Sequence, residues 1–474
     1  MPLRAKVTGP ANSALRMAST DTPVPRELPG DDPDDVLFYS QYGVRLIELN
    51  RPNKLNSLNG SMARKIIPRL LEWRKSQLAN IIMISGAGSK AFCAGGDVAA
   101  LAELNKQGEE GQKKSVEYFG LEYSLDHLVA TYDKPYVAIM DGITMGGGVG
   151  LSIHAPFRIA TERTVFAMPE TTIGFFPDVG GSFFLPRMDG EIGTYLALTS
   201  ERLNGVQSFY AGVATHYVHS TSLNSLTSRL SELVFKDYAT YPERLALVNR
   251  TISEFTADLP HEDEEPMLLA GPLRQAIDRC FGYNTVEEII QALEREEEQK
   301  EWAQKTLETL KQRSPTSLKV TLRQLRLGKK WGIAETFQRE YQLASKFMKH
   351  PDFVEGVSAR LLSKPPRKPE WQPSTLDAVS TETVDEFFTA PPRDKQQRLG
   401  LYTDVNYKQY PYLHHALPSE AEIERYVRAN GGSAKDVITE FFKRWEYKPG
   451  VKTKVRDVLQ RKTTETESGL RWID

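Results

Sequence analysis

Two glycine-rich turns, each directly behind a short apolar run, constrain this chain more than any other feature. Asn80-Ile-Ile-Met-Ile-Ser-Gly86 leads into Ala91-Phe-Cys-Ala-Gly-Gly-Asp97, and Pro135-Tyr-Val-Ala-Ile-Met140 leads into Ile143-Thr-Met-Gly-Gly-Gly-Val-Gly-Leu151. Apolar runs of this length, bounded by turn residues, read as parallel strands covered on both faces. Between them, residues 118–132 read as a helix. Upstream, Val44, Leu46 and Leu49 interleave with Arg45 and Glu48 as a strand. Asn59 then supplies a helix cap for Met62, Ile66, Leu70 and Trp73 at near-helical spacing. The alternation continues through residues 158–161 and 214–218, so residues 38–255 are expected to form one α/β unit.

Flanking this unit the character of the sequence changes. Residues 256–390 are expected to be helical, with long charged amphipathic segments at 285–313, 316–327 and 336–350 and a proline-rich strap at 364–373. Residues 391–474 read as a separate helical extension, in which Ser419 and Glu422 form a capping box and Ser433 opens an amphipathic helix containing Val437, Ile438, Phe441, Phe442 and Trp445. At the other end, residues 1–20 carry Arg4, Lys6 and Arg16 with no acid, the composition of a mitochondrial transit peptide. Residues 21–37, rich in proline and acid, read as a linker that cannot pack a core.

Charge and cysteine content remove several function classes. The 60 basic and 62 acidic residues give a net charge of −2, so no global imbalance points to nucleic acid. Two cysteines, Cys93 and Cys280, make neither a disulfide framework nor a zinc site, and the histidines show no metal-ligand spacing. No run approaches the roughly 18 apolar residues of a membrane-spanning helix. The basic run from Lys443 through Lys448, Lys452, Lys454, Arg456, Arg461 and Lys462 reads as a solvated face that can also meet RNA phosphates.

The chemistry resides in the turns and in the residues downstream of them. A strand, a glycine turn and a helix leave the first helical N–H groups unpaired at the positive end of the helix dipole. Gly147 and Gly96 are the two candidate donors, and two such amides aimed at one point make an oxyanion hole. Glycine also lets a carbonyl oxygen come within hydrogen-bonding distance of the backbone. Further along, Glu170 and Asp178 stand among Phe166, Met168, Ile173, Phe175, Phe176 and Val179. Buried there, their carboxyls would be raised in pKa and suited to act as base or nucleophile; in exposed loops they would be ordinary acids. Glu122 is a third candidate that the sequence alone leaves as a solvated helix charge, and Cys93 reads as an inert core thiol.

With Phe92-Cys-Ala-Gly-Gly-Asp97 and Gly142-Ile-Thr-Met-Gly-Gly-Gly148 in this order, the chain resembles the crotonase (enoyl-CoA hydratase/isomerase) superfamily. Within it, Lys134-Pro-Tyr-Val-Ala138 and Phe166-Ala-Met-Pro-Glu-Thr-Thr-Ile-Gly-Phe-Phe-Pro-Asp-Val-Gly-Gly181 are similar to the branch that hydrolyses 3-hydroxyisobutyryl-CoA. The resemblance implies a ββα spiral core with appended C-terminal helices. It implies that Gly96 and Gly147 bind the thioester oxygen, and that Glu170 attacks the thioester or activates water. Asp178 would hold the substrate's 3-hydroxyl, and Glu122 would be a further substrate-site acid. The first glutamate of a hydratase aligns with Gly150, so hydration loses one of its two carboxylates. The implied activity is release of free CoA in valine catabolism, in the mitochondrial matrix, with no metal, no membrane and no cofactor beyond the CoA of the substrate.

Two other readings stay open. An enoyl-CoA isomerase can work with one glutamate. Fungal relatives with a C-terminal extension also resemble a protein of the mitochondrial small ribosomal subunit, which would make subunit proteins and rRNA partners through residues 391–474. Tyr402, Tyr407, Tyr410, Tyr412 and Trp445 among basic residues fit such a docking surface, and they fit equally a cap on the protein's own body.

Overall fold

The computed structural model describes residues 22–389, 398–467 and 469–473; the transit-peptide reading of residues 1–20 therefore lies outside the described residues. Strands β1 (Val36–Gln41), β2 (Val44–Leu49), β3 (Ile81–Gly86), β5 (Tyr136–Met140), β7 (Phe157–Ala160) and β10 (His216–Tyr217) form one sheet in the order β1-β2-β3-β5-β7-β10. Strands β4 (Ala91–Cys93), β6 (Ile143–Met145), β8 (Val165–Ala167) and β9 (Leu203–Asn204) form a second, smaller sheet in sequence order. Only β1 with β2 and β8 with β9 pair antiparallel within these two sheets. From β3 to β8 the chain alternates between the large sheet and the small one, as in a ββα spiral.

The continuous apolar run of β3 is explained by burial on both faces. Ile82 and Ile84 pack with Met62, Ile66 and Leu70 of the Gly60–Lys75 helix, while Ile81 and Met83 pack with Leu226, Leu230, Val248 and Ile252. The Gly60–Lys75 helix starts where Asn59 accepts the Met62 N–H at 2.9 Å. Burying one such side chain is worth roughly 1.5–3 kcal/mol. A register slip of one residue in β3 would exchange the two sets and leave each against the wrong helix.

Beyond the spiral, helices at Pro315–Gly328 and Ile333–Phe347 pack onto the core, the latter against the Glu109–Ala130 helix. This last helix runs well N-terminal of the expected residues 118–132, because Gly108 provides its start and Glu109 and Glu110 its acidic first turn. The expected continuous helix over 285–313 is two helices, Val286–Glu294 and Lys300–Leu310. Between them Glu296 accepts the N–H groups of Glu298 and Gln299 and pairs with Arg279 at 2.9 Å, which offers the backbone an alternative to helical bonds. The linker is likewise tied down: Asp35 is fully buried against Lys65 at 2.6 Å, and Asp31 pairs with Arg64.

Residues 398–467 and 469–473 cover the body rather than standing free. Tyr410 donates to the Ala155 carbonyl at 2.6 Å, Tyr407 to Ala130 at 3.4 Å, and Tyr412 meets Tyr241 at 3.2 Å. Trp445 donates to Ala416 at 2.9 Å within the extension. These aromatics are cap residues. Helices Glu420–Asn430, Ala434–Arg444 and Val451–Lys462 follow, and the extension closes with a hairpin of β11 (Thr463–Thr466) and β12 (Gly469–Trp472) that its helical reading had not included. The basic run is not wholly a solvated face. Lys454 pairs with Asp189 at 2.8 Å, and Arg461 with Asp457 at 2.8 Å and Glu420 at 3.2 Å, all with buried cation side chains.

Candidate active site

The smaller sheet aims both glycine turns at one place. After β4, Gly95 takes φ +110, a left-handed value that favours glycine. Leu58 donates its N–H to the Gly95 carbonyl and accepts the Asp97 N–H, both at 2.8 Å, which pins the groups on either side of the Gly96 amide. After β6, the chain turns at Gly146 and the helix Gly147–Ile153 begins. A Cβ placed on Gly147 would stand 3.3 Å from the Gly96 nitrogen, so the two amides adjoin.

The same helix clears room for three carboxyl groups. A Cβ on Gly146 would be 3.0 Å from Glu170 Oε1, one on Gly147 would collide with Glu122 Oε1, and one on Gly150 would lie 2.6 to 2.8 Å from the Asp126 carboxyl. Glu122 and Asp126 are one turn apart on the Glu109–Ala130 helix, which places them on one face. Glu170 opens the short helical turn Glu170–Ile173 after β8, closed by Gly174 at φ +71. Asp178 accepts a hydrogen bond from the Tyr123 hydroxyl at 2.6 Å.

Gly96, Gly147, Glu122, Glu170 and Asp178 all line one cavity of about 430 Å³, walled by Phe119, Ile173 and Phe175 and edged by Arg202, Arg313 and Arg360. All three carboxyls are 5% exposed or less. Glu122, which residue type alone leaves as a solvated helix charge and the resemblance implies as a site acid, is buried in the cavity. Asp126, Tyr123 and the three arginines were not singled out in the sequence. The first two had a legible signal, since both lie on the helix that carries Glu122; the arginines come from distant segments and had none.

Burial is the first cause of every carboxyl shift here. It holds Glu122 and Glu170 well above the usual carboxylate range, and the nearby charge of Asp178 pushes both further. Asp178 itself is raised to about 7 by burial, partly offset by the Tyr123 hydrogen bond. Glu122 Oε1, Glu170 Oε2 and both Asp126 oxygens have no hydrogen-bond partner among the described residues. Such a site holds fewer negative charges than carboxyls.

The remaining candidates settle into structural roles. Burial pushes the Cys93 thiol up to about 12, which makes it unreactive. His127 and His154 are buried and pushed down to about 4. No cluster of acids, histidines and cysteines fit to hold a metal occurs among the described residues, and no described helix is long and apolar enough to cross a membrane. Chemically, the cavity offers paired N–H donors for an oxygen that gains charge, and a carboxylate beside them that can attack the adjacent carbon or deprotonate water.

Known proteins share this architecture. The enoyl-CoA hydratase/isomerase family profile matches residues 44–388. The chain is 55% identical over 470 residues to small ribosomal subunit protein mS47 of Neurospora crassa, covering 97% of this chain and 91% of that protein. It is 44% identical over 356 residues to the mitochondrial 3-hydroxyisobutyryl-CoA hydrolase of Danio rerio, covering 75% of this chain and 90% of that protein. Among solved structures it is similar to a carnitinyl-CoA dehydratase from Mycobacterium thermoresistibile, with a TM-score of 0.65 and 34% identity over 77% of this chain and 98% of the other.

Proposed function

Since the chain belongs to the enoyl-CoA hydratase/isomerase family, we propose that it is an acyl-CoA thioester hydrolase releasing free CoA from 3-hydroxyisobutyryl-CoA, a step of valine breakdown. The observation that carries this reading is the set in one cavity: the adjoining Gly96 and Gly147 amides, Glu170 beside them, and Asp178 within the same walls. Position 150, where the resemblance places the first glutamate of a hydratase, carries no side chain, and the carboxyl beside it is that of Asp126 from another helix. The similarity to the mitochondrial hydrolase of Danio rerio supports the substrate and a mitochondrial location, and within the mitochondrion we propose the matrix.

In this mechanism the thioester oxygen accepts from the two amides, and those bonds strengthen as the carbonyl carbon becomes tetrahedral. Glu170 as carboxylate adds to that carbon, or takes a proton from water that adds there. Collapse of the adduct breaks the C–S bond and expels CoA as thiolate, which takes up a proton. If Glu170 has added, water then hydrolyses the anhydride and restores it. Asp178, held by Tyr123, accepts the hydrogen bond of the 3-hydroxyl, and Glu122 closes the wall beside Gly147. A thiolate leaves readily, so the step needs no cofactor beyond the CoA of the substrate. Arg202, Arg313 and Arg360 at the cavity edge suit a phosphate-bearing carrier; burial and Arg360 together push the Arg313 guanidinium down to about 10.

The test is thiol release from 3-hydroxyisobutyryl-CoA, followed with a chromogenic thiol reagent. Cys93 and Cys280 are both buried and contribute no fast background. No CoA release would overturn the hydrolase reading, and double-bond migration in an enoyl-CoA without thiol release would favour the isomerase.

A second role in the small ribosomal subunit is favoured by one observation. Similarity to the Neurospora crassa subunit protein covers 97% of this chain, extension included, whereas similarity to the hydrolase covers 75%. Its contacts with rRNA or subunit proteins would fall to exposed cations such as Lys443, Arg444 and Lys452, because the hydroxyls of Tyr407, Tyr410 and Tyr412 are turned to the body. Co-sedimentation of the full chain with small-subunit particles supports this role, and its migration as a free protein at all salt concentrations refutes it.

A further inference from the structure

The loop that carries Asp178 is bent into an unfavourable shape and held there from outside. Val179 has φ +51, a conformation costly for a β-branched residue, and Gly180 follows at φ +86. Three fully buried or nearly buried side chains grip this loop. His154 Nε2 bonds the Val179 carbonyl at 2.9 Å, and Gln324 Nε2 donates to the Pro177 carbonyl and to Ser182 Oγ, both at 2.8 Å. Glu340 does most. Its Oε2 accepts the Gly180 N–H at 2.7 Å, and its Oε1 accepts the Ser182 N–H at 2.9 Å together with the Ser182 hydroxyl. Glu340 is 0% exposed, on the Ile333–Phe347 helix, far from Asp178 in sequence.

A buried carboxyl is costly, and a fold that needed only to close a turn could do so with neutral groups. Here three donors converge on the two oxygens of one carboxyl, an arrangement that favours its ionised, acceptor-only form and partly offsets the burial that raises Glu340 to about 8. All three come from the residues immediately after Asp178 and Val179. We propose that Glu340 is a positioning residue for Asp178: by fixing Gly180 and Ser182 it keeps Val179 left-handed, and so aims the Asp178 carboxyl at Tyr123 and into the cavity. It touches no substrate. The inference rests on the reading of Asp178 as the acceptor of the 3-hydroxyl.

Glu340→Gln tests it, because the amide puts a donor where one carboxylate oxygen had accepted. With 3-hydroxyisobutyryl-CoA, kcat/KM should fall roughly 10- to 100-fold, the scale of a lost charge-assisted hydrogen bond. With isobutyryl-CoA, which lacks the hydroxyl, it should stay within about threefold. Adding Asp178→Asn should cost no more than about twofold beyond either single variant, since the two act as a unit. Equal losses on both substrates, or additive losses in the double variant, would overturn the proposal. Ser182→Ala removes one of the three donors and should give a smaller loss of the same kind, which keeps the test available if Glu340→Gln does not fold. If the unmutated protein hydrolyses neither ester, the hydrolase reading fails instead. A crystal structure of the Glu340→Gln or Ser182→Ala variant then decides the positioning role alone: a loop that keeps Val179 left-handed and Asp178 on Tyr123 in both would overturn it, and a loop that relaxes would support it.

Discussion

Replacing Asp178 with Asn should stabilise the fold at neutral and alkaline pH while impairing discrimination for the hydroxyacyl substrate. The carboxyl is 4% exposed and its pKa is raised from 3.8 to about 7, chiefly by burial. Because the folded value lies above the unfolded one, the folded chain resists an ionisation that the unfolded chain undergoes. Stability from this group is therefore complete below pH 3.8, falls as pH rises toward 7, and is lost in full above that. The difference corresponds to about 4 kcal/mol at pH 8. This is an upper bound, because Glu122 and Glu170 share the repulsion and ionise more easily once Asp178 is neutral. Asn retains an oxygen to accept the Tyr123 hydroxyl, so the hydrogen bond survives the change. Thermal unfolding of both proteins at pH 4, 6 and 8 and constant ionic strength reads the effect. The variant should melt higher at pH 8 by at most about 4 °C and nearly equally at pH 4. Equal melting at pH 8, or an advantage confined to pH 4, would mean that burying this charge does not govern the stability difference.

Three further outcomes are expected. Glu170→Gln should lower thiol release by a factor on the order of 10² to 10⁴ without lowering the melting temperature; near-normal turnover would remove Glu170 from the chemistry. Gly147→Ala places a Cβ against Glu122 Oε1 and beside the Gly96 amide, and should cost about 10² to 10³ in kcat, the scale of one lost oxyanion donor; a change in KM alone would contradict that role. In the unmutated protein kcat/KM should rise with pH along a limb above the ordinary carboxylate range, since Glu170 acts ionised and is held up by burial and by Asp178. In Asp178→Asn that limb should move to lower pH, and an unmoved limb in stopped-flow or steady-state pH profiles would show that the two carboxyls do not interact.

Much of the fold was legible because local chemistry and tertiary demand agree. Asn59 caps the helix it was expected to cap, and the apolar β3 run is covered on both faces as its composition required. Where the reading of a segment failed, a long-range partner had intervened. Residues 285–313 carry a helical pattern throughout, yet Glu296 breaks it by turning to Arg279 and to the N–H groups of Glu298 and Gln299 just ahead of the next helix. Lys454 and Arg461 look like surface charges in a basic run, and the acids that bury them, Asp189, Asp457 and Glu420, lie largely elsewhere in the chain. Gly96, Gly147, Glu170 and Asp178 could be picked out as candidates, whereas whether the acids were exposed or buried could not.

The sequence by itself determined the alternation of strand and helix and the two glycine turns with their free amides, because these rest on local periodicity and on backbone freedom that only glycine has. It also offered Gly96, Gly147, Glu170 and Asp178 as candidates. Only the tertiary structure decided that Glu122 is interior, that Asp126 and Glu122 fill the spaces left by Gly150 and Gly147, and that Tyr407, Tyr410 and Tyr412 cap the body. A carboxyl's behaviour depends on the solvent and charges around it, and these are supplied by helices distant in sequence: the Glu109–Ala130 helix for the wall, and the Ile333–Phe347 helix for the grip on the loop of Asp178.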